Sequence, residues 1–363
     1  MTLLAILSIL WSPLPLATGR SALQLGLTVG LALLVVNAVT PRRFIACLWV
    51  VMGIILVLSI IVNNKHYDGL AHRVTMAGIY NNKNSLSVAG ASFAVASTAI
   101  FLHRPFPLPL RFIALFGIVF GAALNVLAYS VGRVFAMVLA IAIVASVSSA
   151  CFLPRRWRPS YINLLILCGA GAALILLPTV LMFSAEILAL VGKDATLTGR
   201  TLLWFFADRM SDDYFPLGIG YQAFWKQGHS PAEFLWKVMH VASRSGFHFH
   251  NLYYDMLIQL GYPGIVLGLI MIAYALITVL GWVRRDPNEI SGFFLGCLMM
   301  IVVTQWQEIG LFSLFDLTCF YFVICMGYAA KARRQDVRSQ RLRAVLALDP
   351  DNGLIRRQVL RAS

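Results

Sequence analysis

Polar residues that could do chemistry are sparse in this chain and fall in a few short stretches. FHFHNLYYDMLIQLGYPGI, residues 247–265, sets His248, His250 and Asn251 ahead of an amphiphilic run that ends in Gly261-Tyr262-Pro263-Gly264. TGRTLLWFFADRMSDDYFPLGIGYQAFW, residues 198–225, carries Arg200, Arg209, Trp204 and Trp225, with a turn from Pro216 to Gly220. Arg244 in VASRSGFHFHN, Arg133 in AYSVGR and Lys83 in AGIYNNKNSL complete the set. Arginine forks match phosphate oxygens in planar, bidentate fashion, so these cations suit a negatively charged, phosphorylated ligand. A histidine just before a helix feels the positive end of the helix dipole and the arginines near it, and both favour neutral imidazole. Neutral is the form a general base must have at the start. Asn251 could orient that ring or cap the helix, and Tyr254 shares the helical face of His250. Gly261 and Gly264 are read as structural, allowing a turn and close backbone approach, and Gly220 closes the upstream turn.

Membrane spans must position these groups. Of 363 residues, 60% are hydrophobic and 12% charged, a balance that excludes an ordinary water-soluble globule. Apolar runs long enough to cross a hydrocarbon core of about 30 Å lie near 1–16, 21–39, 44–62, 84–102, 112–130, 134–153, 161–183, 262–283, 291–309 and 311–329. The expectation is an all-α polytopic membrane protein of about ten helices. The first run is short, holds Pro13 and Pro15, lacks signal-peptide features, and is read as a partial helix or the remainder of a longer start.

Basic residues set the orientation. Alternating the spans puts Arg42, Arg43, Arg104, Arg111, Arg155, Arg156, Arg158, Arg284, Arg285 and the tail from Lys331 on one side, 18 of the 29 basic residues. That side is read as cytoplasmic, with the C-terminus. The division is then 1–183 N-terminal helices, 184–250 a large outer loop, 251–330 C-terminal helices and 331–363 a basic tail. The candidate residues all fall on the outer side. A charge at membrane depth costs a few kcal/mol, and several cations on one face imply an anion.

The net charge of +14 resides largely in the inner loops and tail, so nucleic acid is not an expected partner. The tail is a basic, partly amphipathic helix suited to anionic membrane lipids, and its Asp349-x-Asp351 pair is read as a solvated turn. Cys47, Cys151, Cys168, Cys297, Cys319 and Cys325 fall in or beside spans without metal spacing, which argues against a disulfide framework and a structural zinc. Each outer cation can also snorkel to lipid phosphate, and Trp204 and Trp225 are read as interfacial anchors. Asp255 and Glu308, the latter following the polar QWQ, are expected to pair with arginines.

Several of these stretches resemble one family. His250-Asn251, nine residues, then Gly261-x-x-Gly264 is similar to a signature of the O-antigen ligase and polysaccharide polymerase family. Gly199-Arg200-x-x-x-Trp204 and the Arg209-x10-Gly220 spacing resemble its loop motifs, with one extra residue before the tryptophan. GIYNNKNSL, YSVGR and ILSILWSPLPLATGRSALQL resemble further family stretches, so the likeness runs from about residue 8 to 330. NNKN departs from a histidine-lysine-asparagine form, which leaves no role assigned to Asn82.

The resemblance implies a membrane-embedded glycosyltransferase of the C-type fold in the bacterial inner membrane, with its active loop periplasmic and no metal or other cofactor. It implies an undecaprenyl-diphosphate-linked glycan donor and a glycan or lipid A-core acceptor, and leaves room for a chain-length regulator. On that reading Arg133, Arg200, Arg209, Arg244 and Lys83 bind the diphosphate and substrate, His250 is the base and Asn251 its support. A ligase that moves glycan to lipid A-core is the alternative to a polymerase, which the GIYNNKN likeness favours. A carrier that binds lipid-linked glycan without chemistry is a third reading. A transporter of that kind is expected to show two repeated halves with broken helices, and no such repeat is found.

Overall fold

The computed structural model describes residues 1–68, 73–80, 82–182 and 199–348. It is a helical, multi-pass membrane protein. Among the described residues seven helices are long and apolar enough to cross a bilayer. The N-terminal elements are α1 (Thr2–Leu7), α2 (Pro15–Ala38), α3 (Pro41–Val62), α4 (Lys83–Leu102), α5 (Leu108–Leu127), α6 (Val131–Ser149) and α7 (Arg158–Met182). Then follow α8 (Arg200–Ser211), α9 (Ser230–Val238), α10 (Leu252–Arg285), α11 (Glu289–Thr304) and α12 (Leu317–Leu348). An antiparallel hairpin, β1 (Lys65–Asp68) on β2 (Arg73–Met76), joins α3 to α4.

Nine of the ten expected spans coincide with a helix. The run at 1–16 holds only the partial helix read from its prolines: α1 ends at Leu7 and a single 3-10 turn follows, ahead of Pro13, which cannot donate to a helical ladder. The span expected at 291–309 stops at Thr304, where the polar Gln305–Glu308 stretch leaves the helix. The last helix runs well past the apolar block to Leu348, and Asp349-x-Asp351 lies outside the described residues. All six cysteines are free thiols.

The central helix is α4. It touches α3, α5, α6 and α11 and is the most buried of the spans. Small residues permit this, since a Cβ on Gly90 would meet the Gly121 carbonyl of α5 at 3.0 Å. Residues 199–250 build a core of their own from Leu203, Phe224, Leu235, Trp236 and Phe249, resting on Ile258 of α10. Trp225 packs into that aromatic core against Phe247 and Phe249, so it is not the interfacial anchor the sequence suggests.

One break in α10 ties this cap to the bundle. Pro263 has no N–H to give the Gln259 carbonyl, and Gly261 turns out of helical geometry at φ +61°, ψ −157°. The stranded groups are satisfied by the Pro216–Gly220 turn: Ile219 N–H donates to the Ile258 carbonyl at 2.9 Å and Gly220 N–H to the Gln259 carbonyl at 2.9 Å. Tyr262 N–H donates in return to the Pro216 carbonyl at 3.1 Å. A side chain at Gly261 would collide with Pro216 and Leu217 backbone. The N-terminal segment props the same turn from behind, with Ser8 Oγ accepting Tyr221 N–H at 3.0 Å and Ser12 packed against Gly220. Gly264 sits just past the break, where a Cβ would press on the Leu260 side chain at 2.5 Å.

Candidate active site

His250 occupies an unusual backbone position. Its φ is +52°, a left-handed conformation that non-glycine residues adopt rarely and that clusters at functional sites. Both flanks hold it there. Its own N–H donates to His248 Nδ1 at 3.1 Å, and the neighbouring Phe249 carbonyl accepts Trp204 Nε1–H at 2.9 Å. Asn251 is buried and caps α10 by accepting Tyr253 N–H at 2.9 Å, so it acts on the helix end and not on the ring. Tyr254 turns to stack on Trp204, with ring centroids 6.1 Å apart.

The two imidazoles are neutral at pH 7. Burial, reinforced by the Arg200 charge, brings His248 down to about 4. Burial lowers His250 well below its ordinary value, and His248, Arg200 and Lys83 push in the same direction. Because His248 Nδ1 accepts a hydrogen bond, the neutral ring carries its proton on Nε2. His250 Nδ1 is buried and has no hydrogen-bond partner among the described residues.

Three of the five expected cations converge on Glu308, and two of them, Arg200 and Lys83, also act on the His250 ring. Lys83 is the first residue of α4, after Asn82, whose side chain caps the helix by accepting Ser85 N–H at 2.8 Å. Arg133 is buried in the first turn of α6 and donates to Thr304 Oγ1 at 3.3 Å. Arg200 opens α8, donates to the Gln307 carbonyl at 2.8 Å and lies 3.6 Å from Glu308 Oε1. Every one of them sits at a helix N-terminus, where the dipole is already positive and an acidic residue would be the stabilising choice. Such placement is unfavourable for folding and favourable for an incoming anion.

Glu308 gathers the cluster. Its carboxylate accepts Asn84 Nδ2–H at 2.9 Å and pairs with Arg200, as expected for that residue. Burial pushes it above the usual carboxylate range against the opposing pull of Arg200, Arg133 and Lys83. Asp316 is raised by burial as well, and accepts Thr318 N–H at 2.7 Å.

Arg209 and Arg244 are not brought to this cluster. Arg209 is exposed at the far end of α8, over the Phe205 ring at 5.1 Å. Arg244 is exposed in the cap and paired with Glu233. Asp255 has no arginine partner among the described residues and accepts instead from Gln259 Nε2 at 2.5 Å. Asn84, Thr304, Gln307 and Asp316 were not singled out from the sequence. Only the polar interruption QWQE signalled that the 304–308 stretch leaves the helix.

One ligand atom each from His248, His250 and Glu308 lies within 4.8 Å of the others, a spacing a metal ion can use. Two features of its surroundings count against a cation there. His248 Nδ1 is engaged by a backbone N–H and its Nε2 carries the proton, while Arg200 and Lys83 set up a potential that opposes a dication.

This partition has a direct check. Arg200→Ala is expected to weaken binding of a lipid-linked diphosphate donor by about ten- to a hundredfold, the range for a lost charge-assisted hydrogen bond. Arg209→Ala and Arg244→Ala, being exposed, are expected to stay within about threefold. Equal losses in all three variants would contradict the partition.

Comparison with known proteins bears out the motif resemblance. Residues 116–269, which include Arg133, Arg200 and His250, match the family model described as O-antigen ligase. The exopolysaccharide production protein ExoQ of Rhizobium meliloti (strain 1021) is 28% identical over 96% of this chain and 80% of its own length. A chain of the solved structure described as "Structural coordination of polymerization and crosslinking by a peptidoglycan synthase complex" is 15% identical, covering 92% of this chain and 94% of that chain at a TM-score of 0.46. At that score the likeness bears on neither fold nor site.

Proposed function

We propose that this chain is a membrane glycosyltransferase that polymerises undecaprenyl-diphosphate-linked oligosaccharide at the periplasmic face of the bacterial inner membrane. The observation that carries the reading is the convergence of Lys83, Arg133 and Arg200, all at helix N-termini, on Glu308, which lies beside a neutral His250. The O-antigen ligase match supports glycan transfer as the reaction class, and the likeness to an exopolysaccharide production protein favours a polymerase over a ligase.

The chemistry follows from charge. A polyprenyl diphosphate leaving group gains negative charge as its bond to the anomeric carbon breaks, and the three cations with their helix dipoles stabilise that charge. The acceptor hydroxyl attacks the anomeric carbon and its proton passes to the neutral His250 ring. The carbon–oxygen bond to the acceptor forms, the carbon–phosphate oxygen bond breaks, and polyprenyl diphosphate departs. Asn251 holds the start of α10, and with it His250, in place.

Surface and lipid-linked glycans of a deletion strain test the proposal. Loss of polymer with accumulated lipid-linked single repeats is the expected result. Free lipid-linked polymer with bare lipid A-core would replace the polymerase by a ligase. Unprocessed glycan held on the inner leaflet would instead favour a carrier, and an unchanged glycan profile would reject the proposal.

A further inference from the structure

Glu308 lies outside the roles assigned so far, yet the fold goes to some length to fix it beside His250. Its loop bonds directly to the start of α10, with Leu252 N–H donating to the Gln305 carbonyl at 3.0 Å. The loop is closed on itself by Gln305 Oε1, which accepts Leu311 N–H at 3.1 Å. Arg200 of α8 holds the Gln307 carbonyl, and Asn84 of α4 holds the carboxylate itself. A Cβ on Gly132 of α6 would meet Gln307 Oε1 at 2.5 Å, so that helix also presses on the loop. Elements far apart in sequence thus aim one carboxylate to within 4.8 Å of both the His248 and His250 rings.

The transfer step gives that placement a purpose. As the acceptor hydroxyl loses its proton, His250 becomes imidazolium in a pocket that already contains Arg200 and Lys83. Both cations oppose that change, and His248, with its Nδ1 taken, does not balance it. Among the described residues Glu308 is the negative group within reach of the ring; Asp316 lies near Arg133.

Resting on the glycosyl-transfer reading, we propose that Glu308 is a positioning residue for His250, a fixed counter-charge that stabilises the imidazolium formed when the acceptor hydroxyl is deprotonated. The carboxylate need not touch substrate. Arg200 is held separately by the Gln307 carbonyl, so the diphosphate-binding guanidinium does not depend on the Glu308 charge for its place. The expected ten- to hundredfold change in rate corresponds to about 1.4 to 2.7 kcal/mol of transition-state stabilisation.

The test uses the full-length protein in proteoliposomes with lipid-linked donor, comparing wild type, Glu308→Gln, Glu308→Asp and His250→Ala. Glutamine keeps an acceptor for Asn84 and removes only the charge. The expected result for Glu308→Gln is a turnover lower by ten- to a hundredfold, a donor KM within about threefold of wild type, and an acid limb displaced to lower pH. The limb moves down because the carboxylate that favours imidazolium is gone while Lys83, Arg200 and His248 remain around the ring. Glu308→Asp is expected to recover part of the turnover, and decides the matter if the glutamine variant does not fold. A merely structural role would reduce rate or yield and leave the acid limb in place, and that outcome overturns the proposal. Wild-type turnover in Glu308→Gln with an inactive His250→Ala also overturns it, leaving the transferase reading intact. No transfer by wild type removes that reading itself.

Discussion

His250→Ala is expected to reduce glycan transfer by about a hundred- to ten-thousandfold, the contribution typical of a general base, while binding of the lipid-linked donor stays within a few fold. The separation follows from the geometry. The donor's diphosphate is assigned to Lys83, Arg133 and Arg200, whereas the ring whose buried Nδ1 lacks a partner faces the proton. Because burial and nearby cations hold His250 well below pH 6.5, wild-type turnover should be flat from about pH 6.5 upward and fall only on the acid side, where the ring takes up a proton and ceases to be a base. Transfer at the wild-type rate by His250→Ala would remove the base assignment. An acid limb centred above pH 6.5 would show that the ring is charged at rest.

Gly261→Ala is expected to destabilise the protein by about 3 kcal/mol or more and to abolish transfer with it. Two costs combine: a backbone conformation that is essentially glycine's own, and a new methyl group driven into the Pro216 carbonyl. Gly228→Ala is the matched control, since Gly228 also has positive φ, at +84°, but nothing lies within 4 Å of an added Cβ. Its cost should stay near the 1 kcal/mol or so of backbone strain alone. Thermal unfolding of both variants in detergent reads the difference directly. Equal shifts would mean that the contact with Pro216 contributes nothing.

Span positions were legible because an apolar run of bilayer length admits few other readings, and nine of them coincide with helices. The first run is a partial helix, as its two prolines indicate. The helix that follows His250 is expected at 262–283, yet it begins at Leu252 and passes through a break, because cap residues near 216–220 supply the hydrogen bonds that a lone helix would lack. The site shows the same division. Residue types alone singled out five cations, but which of them meet depends on tertiary contacts. Arg244 is drawn aside by Glu233 eleven residues earlier, and Arg200 is drawn in by Glu308 more than a hundred residues later. Glu308 and His250 are similarly joined only through the folded path of α10 and α11. No local pattern announces that.

The exchange of backbone bonds at the α10 break limits how the molecule can admit its substrates. A hinged lid must let go of its base to open, and here letting go would strand the carbonyls of Ile258 and Gln259 and the Tyr262 amide in an apolar setting at a cost of about 1–3 kcal/mol for each orphaned group. The cap is therefore a fixed roof stitched to the bundle. Under the proposed reading, a lipid-linked donor is expected to reach such a site from the side, in the plane of the bilayer, and not by lifting this cap.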